Sequence, residues 1–167
     1  MVRTSSRATR TPEMPNALTR TRRFLALSAL ERRTFAAAWW ELVRIRWALR
    51  RTVFAQLQKR RVEALRPKAM ATSAEGTAGI SPAEDRARVG WAVSSAARFV
   101  PGATCLPQAM AAQALLARRG IGSTIQTGFD RTEAKGVEGH AWLVCDGEVV
   151  VGDIGLDRFV PVASFEL

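Results

Sequence analysis

The sequence predicts an α+β fold, with N-terminal helices followed by an antiparallel sheet, and three observations carry that expectation. Two helix-start signals, "SALE" at 28–31 and "SPAE" at 81–84, each precede apolar residues spaced three or four apart. Beyond Gly120 that spacing gives way to short apolar runs. Two of those runs flank Asp146 and Gly147, the residue pair favoured in a two-residue hairpin turn.

Residues 1–20, "MVRTSSRATRTPEMPNALTR", lack apolar periodicity and are rich in Ser, Thr, Arg and Pro. They are expected to be a disordered basic tail, or to lie upstream of a start at Met14. Residues 21–66 form an amphipathic helical region. Ser28 is its N-cap and Glu31 completes the capping box, while Phe35, Ala38, Leu42, Ile45, Leu49, Val53 and Leu57 share one stripe. One long helix, or two joined ones, should run to about Leu65. Pro67 and the small residues after it predict a linker over 67–80.

The core is expected at 81–167. Ser81, Pro82 and Glu84 open a helix over roughly 82–98, with Val89, Val93, Ala96 and Val100 facing one way and Pro101-Gly102 stopping it. Thr104 can cap the next helix, whose Leu106, Met110, Ala114 and Ala117 alternate with exposed Gln108 and Arg118 until Gly120. "STIQTGF", "HAWLVCDGEVVVGDI" and "DRFVPVASF" then supply the strands.

At 167 residues with 47% hydrophobic content, the chain can bury a core without staples. Its two cysteines, Cys105 and Cys145, and the lack of a secretory layout predict reduced thiols and a cytoplasmic location. Arg23, Glu31, Arg32, Arg33, Glu41, Arg44 and Arg46 interrupt every apolar run, so no membrane span is expected. The net charge of +10 is uneven: residues 1–66 carry +12 and residues 67–167 carry −2. A basic block of that kind suits nucleic acid, an acidic membrane surface or an acidic partner, or simply a solvated arginine-rich surface. Trp39, Trp40 and Trp47 stand near the arginines, but they fall largely on or beside the apolar stripe. Core or partner contact therefore outweighs base stacking, and nucleic-acid binding is the weaker reading.

Cys105 falls in the first turn of a helix, where exposed backbone N–H groups and the helix dipole favour a thiolate over a thiol. The competing reading is a small buried side chain. His140 is the single histidine. A two-residue turn at 146–147 pairs Cys145 with Glu148 and, continued along the hairpin, sets His140 opposite Asp153. There the carboxylate could fix the imidazole tautomer. Trp142, Val144, Val149 and Val151 would share that face, Trp142 being the candidate for substrate contact, while Ala141, Leu143 and Cys145 point to the core. Cys105, His140 and Asp153 thus supply a nucleophile, a base and an orienter, the roles of a cysteine hydrolase. One histidine and two cysteines on opposite faces make no convincing zinc set, and no glycine-rich phosphate loop is present, so neither metal nor cofactor is expected.

The order "TCLPQAMAAQALLARRGI", "EGHAWLVCDGEVVVGD", "FVPVASFE" resembles the transglutaminase-like leader peptidases of lasso peptide biosynthesis, in the split form lacking the leader-recognition domain. The resemblance covers about residues 81–167, more loosely from Ser28. It implies a transglutaminase-like, papain-like core with Cys105 as nucleophile, His140 as base and Asp153 as third member. It further implies cleavage of a ribosomally made precursor between leader and core. The implied partners are that precursor peptide, a small leader-recognition protein and an asparagine-synthetase-like cyclase. An acyltransferase of transglutaminase type is the close alternative, since an amine can capture the same thioester. The basic start has no counterpart in the resemblance.

Overall fold

The computed structural model describes residues 26–75, 81–130 and 139–167. The expected tail at 1–20 lies outside the described residues. Among them the order is α1 (Ala29–Leu49), α2 (Phe54–Glu75), α3 (Pro82–Ala97), α4 (Cys105–Ala117), β1 (Thr124–Asp130), β2 (Gly139–Cys145), β3 (Glu148–Val151), a 3-10 turn (Leu156–Arg158) and β4 (Phe159–Glu166). The fold is α+β, as expected, and the four described strands form one antiparallel sheet in the order β3-β2-β1-β4.

Both capping boxes form: Ser28 and Ser81 each accept from the backbone N–H three residues on, and Glu31 and Glu84 accept in return from the cap N–H. The stripe of α1 buries Ala38, Leu42 and Ile45 completely. Val53 falls outside it, because the helical chain breaks between Leu49 and Phe54 and leaves Val53 exposed. The break expected at Pro67 does not occur there: α2 is helical through Glu75, so only 76–80 of the expected linker remains, outside the described residues. Nor is the N-terminal helical region separate from the core. Ala38, Leu42 and Ile45 join Val89, Val93, Ala96, Met110, Leu116, Ile125 and Leu143 in one apolar cluster.

Helix α4 is the centre of that cluster. It was expected to be amphipathic, yet Pro107 and every residue from Ala109 to Ala117 are buried, Gln113 included. A helix apolar on all sides belongs inside, with helices on one side and the sheet on the other. Gln113 is satisfied there by donating to the Ser123 and Phe165 carbonyls and accepting from Gln58. Charge is buried beside it too: Glu41 accepts from Arg61 and Arg118, and Asp85 from Arg88. The tryptophans of α1 differ from expectation. Trp40 and Trp47 face solvent at 57% and 61% exposure, and Arg51 stacks on Trp47 at 3.6 Å. Their i, i+7 spacing places both on the face away from the stripe.

The β2–β3 hairpin has the expected turn, with Asp146 and Gly147 both at positive φ. Its register then slips. Cys145 pairs with Glu148 and Val144 with Val149, but Leu143 pairs with Val151, so Val150 is an inserted residue. The expected opposition of His140 and Asp153 is therefore lost, and Val151 turns to the core beside Leu143 rather than sharing a face with His140. Helix α3 packs closely on the strand at the inserted residue. A Cβ at Gly90 would lie 2.5 Å from the Val150 carbonyl oxygen, so only glycine lets the helix sit against the bulged strand. Among the described residues no helix is long and apolar enough to cross a membrane.

Candidate active site

Cys105 is the first residue of α4 and is half-buried. Thr104 occupies the N-cap position as expected, but its hydroxyl makes no cap hydrogen bond. The first-turn N–H groups of Cys105 and Leu106 are thereby left without a side-chain cap, and Pro107 has no N–H to satisfy. The loop in front is fixed from two sides. Gln108 donates its amide N–H to the Ala103 carbonyl at 2.8 Å, and Arg46 of α1 donates from Nε to the Pro101 carbonyl at 3.2 Å. Gly102 lies between them in the left-handed region, in contact with the Arg46 guanidinium.

His140, near the start of β2, is 8% exposed. Its ring stacks on Trp142 with centroids 5.9 Å apart and meets Phe159 at 5.0 Å. Nε2 lies 2.7 Å from the Gly152 carbonyl oxygen. A carbonyl can only accept, so Nε2 carries the hydrogen and Nδ1 of the neutral ring is the free base. Gly152 has φ +90°, and a Cβ there would lie 2.8 Å from the Ala141 carbonyl oxygen and 2.9 Å from Trp142 Cβ. The residue must be glycine for its carbonyl to reach the ring.

Cys105, His140 and Asp153 border one cavity of about 800 Å³, together with Ser94, Thr104 and Gln108. The structure brings the three sequence candidates to one place, but not into a hydrogen-bonded chain. Among the described residues the imidazole is held by Gly152 rather than by the Asp153 carboxylate, and no hydrogen bond joins it to Cys105 Sγ. Asp153 is exposed on the cavity wall. Trp142 is 3% exposed, donates its indole N–H to Gln126 at 2.8 Å and does not line the cavity. It sits against the imidazole as a support.

Cys145 is different in kind. It is 2% exposed, donates to the Gly122 carbonyl at 3.1 Å, and burial, followed by the Asp146 charge, pushes its thiol pKa up. That suits a packing residue. Sequence reasoning missed Gln108 as a site residue, although its i, i+3 spacing from Cys105 placed both on one face of the helix. Gly152 was missed as well; its signal was a lone glycine after an apolar strand. Among the described residues no group of three or more His, Cys, Asp or Glu is placed to hold a metal ion.

A family model, described as the transglutaminase-like superfamily, matches residues 39–164. No curated protein and no solved structure shows significant similarity to the chain.

Proposed function

Because the chain belongs to the transglutaminase-like superfamily, which includes cysteine peptidases and acyltransferases, we propose that it is a cysteine peptidase. Its substrate in this reading is a lasso peptide precursor, cut between leader and core. One observation carries the catalytic assignment: the half-buried thiol at an uncapped helix start borders the same cavity as the one imidazole, whose tautomer leaves Nδ1 unprotonated.

In this mechanism the Cys105 proton passes to His140 Nδ1 and the sulfur attacks the scissile carbonyl carbon. The N–H groups of Cys105 and Leu106 receive the developing oxyanion. The imidazolium then protonates the leaving amine, the C–N bond breaks and a thioester remains. Water, deprotonated by His140, attacks that thioester; the C–S bond breaks and the acid is released. Gly152 holds the ring from Nε2 throughout, and Asp153 lies on the wall of the same cavity. Specificity for the leader comes from a separate recognition protein that presents the precursor, and the freed core amine passes to an ATP-dependent cyclase.

The test is reconstitution of the full chain with a precursor peptide and its small recognition protein, read by product mass. Free leader acid plus core with a new amino terminus is expected. A leader joined to an added amine, with no hydrolysis, would assign the chain to acyl transfer instead. No change in the precursor under these conditions would overturn the peptidase reading.

A further inference from the structure

Cys105 and His140 also border a second cavity, of about 360 Å³, which Asp153 does not reach. Its walls are Phe54, Leu106, Thr127, Phe129, Val162 and Phe165, with backbone from Gly128 and Gly139 between them. The contrast with the first cavity is chemical. That one presents Ser94, Thr104, Gln108 and Asp153; this one, Cys105 and His140 aside, presents no side chain able to carry a charge.

The apolar slot is built by local departures from regular structure. Strand β4 carries an inserted residue where Thr127 pairs with Ala163 and Gly128 with Pro161, and the residue left over is Val162. A bulge of this kind re-aims a side chain, and Val162 stands 62% exposed among the walls. A Cβ at Gly128 would lie 2.5 Å from the Val160 carbonyl oxygen, so glycine is required for β1 and β4 to close beside the slot. Phe129, also of the walls, is 48% exposed. From the other side Phe54 reaches in from α2 and packs edge-on against Phe165 with centroids 5.0 Å apart. Two large apolar side chains left open to water beside a nucleophile mark a surface that something apolar covers. The volume falls at the small end of ligand pockets, about 300–1,000 Å³.

We propose that this slot receives a bulky apolar side chain adjacent to the carbonyl that Cys105 attacks, with the more polar remainder of the substrate lying in the larger cavity. The inference rests on the assignment of Cys105 as nucleophile. It makes the preferred substrate a peptide whose scissile bond is flanked by an aromatic or branched aliphatic residue, and it makes Thr127 and Val162 specificity-determining positions.

The slot can be probed without any turnover. The full chain is alkylated with chloroacetamide and with N-phenethyl-chloroacetamide, and the rate at Cys105 is read by peptide mapping. The aromatic reagent is expected to gain at least about tenfold over the plain one, relative to their ratio with a free thiol, as apolar pockets discriminate. Thr127→Trp, which fills the slot, and Val162→Lys, which charges its edge, should each bring that ratio close to one. A wild-type ratio near one, or a high ratio that both variants leave unchanged, would overturn the proposal. Failure of the reconstituted cleavage would count against the peptidase reading alone, because this ratio does not depend on it.

Discussion

At Gly152 a single backbone position decides how the imidazole is held. Its positive φ and the crowding of any Cβ against Ala141 and Trp142 mean that Gly152→Ala strains the chain by about 1–3 kcal/mol. The same change shifts the carbonyl away from His140 Nε2. The expected result is a lower urea midpoint together with a cleavage rate lowered by more than the loss of folded protein accounts for, because the ring is no longer held. A rate that falls only in step with the folded fraction would show that the carbonyl only packs. Trp142 and Phe159 act at this scale as well, since their aromatic rings pack against the imidazole and limit its freedom.

At the scale of elements, the buried carboxylate of Glu41 ties α1 to α2 through Arg61 and to α4 through Arg118. Burial raises its pKa, yet the two guanidinium groups outweigh that effect and hold the carboxyl below its ordinary value of 4.5. A depressed folded-state value means that the stabilisation is fully present above about pH 4.5 and is lost as pH falls through the folded value. Glu41→Gln should cost about 1.5–3 kcal/mol at neutral pH and flatten the acid limb of the stability curve. Chemical denaturation from pH 3 to pH 7 checks both.

These elements also show what was legible in the sequence. Capping boxes and the Asp-Gly turn are local chemistry, so α1, α3 and the β2–β3 turn were readable from a few residues each. The bulge at Val150 was not, because no local signal marks it and its surroundings include Gly90 of α3, sixty positions away, against the Val150 carbonyl. Counting along the hairpin therefore placed His140 opposite Asp153 by a rule that the inserted residue breaks. The position of Cys105 survived because a helix start is a local event. The all-round burial of α4 did not show, since alanine is equally at home on a surface and in a core.

Over the whole molecule, the helices before residue 81 share one core with the segment that carries Cys105 and His140. Leu42 and Ile45 are wholly buried in the common cluster, and Arg46 reaches across to the Pro101 carbonyl just ahead of Cys105. A fragment of residues 81–167 should accordingly fail to give a cooperative thermal transition, whereas residues 26–167 should keep one. A stably folded short fragment would contradict the shared core. The basic excess of the N-terminal half is partly absorbed by this architecture, since Arg61 is committed to Glu41 and Arg46 to the loop. Trp40 and Trp47, turned outward, leave α1 with the aromatic and cationic face that a nucleic-acid ligand or an acidic partner would use. A steep loss of affinity for single-stranded DNA as salt rises would favour the former.

The pairing of Cys105 with His140 is tested most directly by trapping the covalent intermediate. The full chain, precursor and recognition protein are mixed, quenched in acid within the first turnover and weighed intact. A mass gain equal to the leader acyl group, mapped to Cys105, is expected, absent in Cys105→Ala and at least about a hundredfold slower to form in His140→Ala. An adduct on any other residue, or cleavage that persists in Cys105→Ala, would contradict that pairing.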